Sequence, residues 1–190
     1  MVGKIYIPNS VKFVSQQSGF AFFGALTSVG ALFYFGVMTM IVTFCGHAHY
    51  TESEEDERKI LAFLTEKVGD GDAALYLGGY GEFDAFARKC GRKFQETHPR
   101  TQLIFITPYI TPEYQKNHLI YAQELYDGIL YAGLEDVPQR FAISRRNKWM
   151  AEQADCVIAY IDHAWGGAYQ TYLYAKRRGK YIFNITNKEL

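Results

Sequence analysis

The chain alternates between short apolar runs and amphipathic stretches, and that alternation sets the expected fold. Ile41 to Cys45 is an apolar run closed by Gly46-His47, with the length and composition of a buried strand. Thr51 and Glu54 then have the spacing of a capping box. Glu52, Glu54, Glu55, Asp56 and Glu57 form an acidic first turn that suits a positive helix end. Ile60, Leu61, Leu64 and Val68 follow at helical spacing. Ala73 to Leu77 predicts a second strand, and Phe83 to about Thr97 a second helix with Phe83, Phe86, Ala87 and Phe94 on its apolar face. Leu103 to Thr107 is a third strand, stopped by Pro108. Residues 108–140 are less regular, with a short helix, a short strand at Gly128 to Tyr131 and a Pro-containing loop. Residues 141–154 read as a helix carrying Arg145 and Arg146. Asp155 to Ile161 is a continuous apolar strand of the doubly covered kind. A glycine turn, another helix and a last strand at 181–185 complete the chain. This order predicts an α/β, Rossmann-like open, mainly parallel sheet with helices on both faces.

Residues 13–46 contain no Asp, Glu, Lys or Arg, and Lys4 and Lys12 precede them as a positive leader would. By length this segment is a membrane-anchor or signal candidate. It runs into the first strand with no polar linker, however, and Met38 and Met40 stand where a soluble domain would start. The expectation is therefore an apolar extension over residues 1–38, either upstream reading frame or a dispensable anchor. The domain itself is expected over 40–190 and in the cytoplasm, with membrane anchoring through 13–38 as the alternative.

Composition narrows the partners. Twenty acidic and twenty basic residues cancel, which removes a long-range field and argues against nucleic acid. Cys45, Cys90 and Cys156 have no C-x-x-C spacing, so neither a disulfide framework nor a zinc site is expected, and a reducing compartment is. His47-x-His49 could offer metal ligands, but no cysteine or carboxylate cluster joins it at zinc spacing. No metal and no cofactor are expected. With 15 Tyr and 14 Phe, tyrosines between 109 and 131 allow a homo-oligomer.

Three strand ends carry turns that bring backbone close to a ligand: Cys45-Gly46-His47, then Gly78-Gly79-Tyr80-Gly81-Glu82-Phe83-Asp84, then Trp165-Gly166-Gly167-Ala168. Any one of them is explained by a tight turn that needs glycine. Three at one edge predict a pocket. Asp84 stands where a G-x-G-x-x-G motif would place its third glycine, and no G-x-x-x-x-G-K-[ST] occurs, so a dinucleotide oxidoreductase and a P-loop NTPase are both disfavoured. A phosphate on backbone amides survives, with Arg146 as a clamp.

"TFCGH", "G-x-x-G-x-F-D" (Gly78, Gly81, Phe83, Asp84), "VPQRFAISRRNKWM" and "ADCVIAYIDHAWGGA" together resemble the YpsA-like branch of the SLOG superfamily, over about residues 40–187. These are bacterial and phage Rossmann-like proteins related to DprA and to the LOG phosphoribohydrolases. The resemblance implies binding of a nucleotide-like ligand, in many members as a sensor. LOG enzymes carry P-G-G-x-G-T-x-x-E where this chain reads "WGGAYQTYLYA", without the glutamate. The function expected is thus a sensor-type domain that binds a nucleotide or nucleotide-derived small ligand. Its ligand residues are Gly46, His47, Gly78, Gly79, Gly81, Phe83, Asp84, Arg146, Trp165, Gly166 and Gly167, with His47, Asp84 and Trp165 orienting ribose and base. The alternative is an N-glycosidic phosphoribohydrolase-like enzyme acting on nucleoside monophosphates, with Asp84, Glu82 and Arg146 as its catalytic candidates. A DprA-like single-strand DNA binder ranks third, because net charge is zero and no basic strip stands out.

Overall fold

The computed structural model describes residues 39–186 and 188, together with the backbone of 4–7 and 10–13. Two short strands open it, β1 (Lys4–Ile7) and β2 (Ser10–Phe13). The main domain follows as β3 (Met40–Gly46), α1 (Glu54–Val68), β4 (Ala73–Leu77), α2 (Glu82–Gln95) and β5 (Thr101–Thr107). Next come α3 (Pro112–Tyr114), a π-helical turn (Gln115–Leu119), α4 (Ile120–Leu125) and β6 (Gly128–Tyr131). The chain finishes with α5 (Gln139–Gln153), β7 (Cys156–Tyr160), α6 (Gly166–Arg177) and β8 (Tyr181–Asn184).

The sheet order is β2-β1-β6-β5-β4-β3-β7-β8. From β6 to β8 every pairing is parallel. The strand–helix–strand pattern of the sequence therefore gives the α/β, Rossmann-like open sheet it predicts, because each parallel pair needs a crossover. On one face α1, α2 and the π-helical turn bury Ile60, Phe63, Leu64, Phe86, Phe94 and Leu119 against the sheet. On the other, α5 and α6 cover Cys45, Val157, Ala159 and Ile106 with Ala151, Ala175, Ala142 and Met150.

The edge strand β6 is met antiparallel by β1, with Lys4 opposite Tyr131, and β1 pairs antiparallel with β2. An edge strand offers a row of unpaired backbone groups, and the hairpin takes them up. Part of the stretch read as an extension to the domain thus adds to its sheet. Residues 14–38, which carry most of the anchor candidate, lie outside the described residues. Among the described residues no helix is long and apolar enough to cross a membrane.

Two local expectations change. The first helix is capped by Ser53, whose hydroxyl accepts from Asp56 N–H at 3.4 Å. The Thr51–Glu54 box does not form, because the helix begins at Glu54 itself. Of the tyrosines between 109 and 131, Tyr126 and Tyr131 are core residues and Tyr121 is the well-exposed one.

Candidate functional site

The strand order reverses between β3 and β7: the chain lays β4, β5 and β6 to one side of β3 and β7 and β8 to the other. Ligands of open α/β sheets bind beyond the carboxyl ends of the strands at such a switch point. A cleft of about 440 Å³ opens there. Its walls are the turns after β3, β4 and β7 and the face of α5 that carries Ile143, Arg146 and Met150, with Gly46, His47, Gly78, Tyr80, Asp84, Trp165, Gly166 and Gly167 among the other lining residues. Most of the expected ligand set is therefore brought to one place. Gly79, Gly81 and Phe83 do not line it: the Phe83 ring is 1% exposed and packs beneath Gly46, where an added Cβ would stand 2.2 Å from Phe83 Cδ1.

The glycine turn after β4 is the element whose role changes most. Gly79 and Gly81 have φ of 72° and 91°, as a turn of this kind requires. The amides it exposes are taken by the chain's own acid. Tyr80 N–H donates to Asp84 Oδ2 at 2.8 Å, and Gly79 N–H bonds the same carboxylate. Asp84 thus occupies the place an incoming phosphate would take. Glu82 is similarly engaged, its Oε2 accepting Tyr50 N–H at 2.7 Å.

Arg146 lies under this turn. It is 1% exposed, and its NH1 donates to Gly78 O at 2.6 Å and Ile106 O at 2.8 Å. The guanidinium carbon sits 5.2 Å from the Tyr80 ring centroid. In this geometry Arg146 ties the ends of β4 and β5 together from below the cleft, while Arg145 on the same helix is exposed. The three residues expected as a catalytic set are all held in internal hydrogen bonds.

Burial pushes the Asp84 carboxyl up to about 6, against its two backbone hydrogen bonds and the charge of Arg146. Its folded value is then above the unfolded one near 4, so the folded state holds a proton that the unfolded state releases. Stability is therefore expected to fall as pH rises from about 4 to about 6, by roughly 1–2 kcal/mol for a carboxyl with some solvent access, and to level off above. In Asp84→Asn that slope should vanish. Urea unfolding at pH 4.5 and pH 7 checks it, and an unchanged slope in the variant would assign the effect to another group.

The turn after β7 is built differently. Helix α6 starts at Trp165–Gly166 with no side-chain cap, and a Cβ at Gly166 or Gly167 would meet nothing within 4 Å. Its first amides face open space at the positive end of a helix, where anions are favoured. Beside them rings are layered. His47 and His163 stack with centroids 3.4 Å apart, and His163 lies against Trp165 at 4.0 Å. Trp165 itself is 70% exposed. Burial, and then the neighbouring His163, hold the His47 imidazole below its usual pKa, against the pull of Asp162.

Asp162, His163 and Tyr80 were missed as site residues in the sequence. The signal for the first two was present: an Asp-His pair directly after a buried strand, of the same type as Gly46-His47 after the first.

No family model matches the chain, and no curated protein matches it. Solved structures do. The chain is similar to DNA processing protein A from Helicobacter pylori, at 20% identity and a TM-score of 0.52, over 78% of this chain and 70% of that one. That structure is described for a unique single-stranded DNA binding mode. It is also similar to DNA processing protein A (DprA) from Streptococcus pneumoniae, at 16% identity and a TM-score of 0.54, over 78% of this chain. The match spans half the length of the Streptococcus protein.

These likenesses establish the fold, a DprA-like Rossmann sheet. They also overturn two expectations. The small-nucleotide sensor, together with its phosphoribohydrolase alternative, and the exclusion of nucleic acid do not stand beside neighbours that process DNA and, in one case, bind it single-stranded. Zero net charge does not carry such an exclusion, because it averages over the chain, whereas the surface of α5 carries Arg140, Arg145 and Lys148 against Glu152 alone.

Proposed function

We propose that this domain binds single-stranded nucleic acid along the carboxyl edge of its sheet. One observation carries the reading: aromatic side chains stand at the ends of four consecutive strands. Trp165 and His163 follow β7, His47 follows β3, Tyr80 follows β4, and Tyr109 and Tyr114 follow β5, in the sheet order β7-β3-β4-β5. Trp165 and Tyr80 are 70% and 41% exposed. The Tyr80 and Tyr114 hydroxyls share a hydrogen bond of 2.8 Å, and the Tyr114 ring lies edge-on to Tyr109 at 5.1 Å. Successive rings on a groove are the means by which proteins hold unpaired bases without reading sequence, since every base has a π face.

The uncapped amides of Gly166 and Gly167 beside Trp165 offer phosphates a partner, and the exposed Arg140 and Arg145 of α5 add positive charge. The likeness to a protein described for single-stranded DNA binding supports the same reading. Three buried free cysteines fit a reducing compartment such as the cytoplasm.

The test is fluorescence anisotropy with a labelled oligothymidine and with the matching duplex, at two salt concentrations. Saturable binding to the single strand, with the duplex much weaker, is the expected result. A few phosphate contacts give a shallow slope of log K against log salt, about −1.5 to −2. Equal binding of duplex and single strand, or none at low salt, would overturn the proposal.

A further inference from the structure

His47, Asp162 and His163 converge at the switch point in a way that stacking bases does not explain. One donor atom from each lies within 4.8 Å of the others. His47 is 7% exposed, and its Nε2 has no hydrogen-bond partner among the described residues. A neutral imidazole protonated at Nδ1 leaves a lone pair on Nε2. Asp162 Oδ1 lies 3.4 Å from Nε2 with no hydrogen bond between them, and a cation shared by the two would satisfy both.

The width of the gap says which kind of cation. A charge-assisted N–H···O bond would close to about 2.7–2.9 Å. A separation of 3.4 Å instead matches the edge of a tetrahedron whose bonds are about 2.0–2.1 Å long, the length of zinc–nitrogen and zinc–oxygen bonds. We propose that His47, Asp162 and His163 form a three-ligand site for a divalent transition-metal ion of the zinc class. Two imidazole nitrogens and one carboxylate oxygen suit such ions, whereas calcium and magnesium prefer oxygen throughout. Three protein ligands leave a fourth position for water or another oxygen.

Loading the site moves one ring. His163 Nδ1 now lies 2.5 Å from Asp162 Oδ1, and its ring is nearly parallel to that of His47, at 15°. Parallel rings hold their lone pairs side by side, so His163 turns about its Cβ–Cγ bond for the two to meet at one ion. That turn changes its contact with Trp165, which supplies an optical signal. The His47-x-His49 spacing could not show this site, because the second and third ligands arrive from the end of β7.

The inference stands apart from nucleic-acid binding, and its probe is the metal alone. The full chain, stripped with a chelator, is titrated with Zn2+ by calorimetry while tryptophan emission is followed. One ion per chain is expected, with an emission change that saturates at one equivalent. His47→Ala and Asp162→Asn should each weaken binding about tenfold or more, and His98→Ala should not. Trp165→Phe should lose the emission change and keep the heat. Zinc bound at wild-type strength in both ligand variants, or no saturable heat in the parent, overturns the site. Should circular dichroism show that His47→Ala does not fold, the partly exposed Asp162→Asn decides alone.

Discussion

Arg146→Ala is expected to cost about 3–5 kcal/mol of folding stability, from two buried hydrogen bonds to a charged group at roughly 1.5–3 kcal/mol apiece. The guanidinium is 1% exposed and holds the carbonyls of Gly78 and Ile106 through one nitrogen. It also supplies the positive charge that opposes the upward push on Asp84. Truncation leaves two carbonyls without their donor, a half-buried carboxylate without its counter-charge, and a void beneath the turn. At roughly 2–4 °C per kcal/mol for a chain of this size, the midpoint should drop by about 6–20 °C. Arg146→Lys keeps the charge but not the fork geometry and should fall between. The double variant Arg146→Ala, Asp84→Asn should recover part of the loss, because the unpaired acid is then gone. Differential scanning calorimetry on the four proteins reads this directly. A loss below about 1 kcal/mol in Arg146→Ala would mean that the guanidinium is a free clamp and not a tie between strands.

Trp165→Ala should weaken single-strand binding by roughly 5- to 150-fold, which is one base–aromatic stack of about 1–3 kcal/mol. Folding should be unaffected, since the indole is 70% exposed. Because no phosphate contact is lost, the salt slope should keep its value while the whole line shifts down. Trp165→Phe should retain most of the affinity. Anisotropy titrations of the three proteins at two salt concentrations separate the outcomes. A change of less than twofold would remove Trp165 from the binding path and leave the strand-end aromatics as surface residues.

Much of the domain was legible in the chain because its elements are encoded locally. The helix over 139–153 and the strand at Gly128–Tyr131 follow from periodicity and turn residues, which act within a few positions. The candidate site was legible only as a set of turns. Gly78-x-x-Gly81-x-x-Asp84 reads as an anion cradle with an orienting acid. The folded turn shows instead that the acid is the anion, since Asp84 Oδ2 takes the Tyr80 N–H. Which of several spatially adjacent acceptors wins an amide depends on backbone geometry that composition does not carry. Arg146 likewise stands among polar neighbours in "SRRNK", and only the packing of α5 on the sheet buries it.

By itself the sequence determined the strand–helix alternation, the parallel sheet that follows from it, and the glycine turns that gather at one edge. The reason is that hydrophobic period and turn chemistry are local quantities. The tertiary structure decided where β7 is placed. Its pairing with β3, Phe44 opposite Ile158, sets Gly46-His47 beside Asp162-His163 and lines Trp165 up with Tyr80 along the edge. That placement rests on the handedness of crossovers and on the fit of helices against both faces. These are properties of the whole sheet, and no stretch of the chain holds them alone.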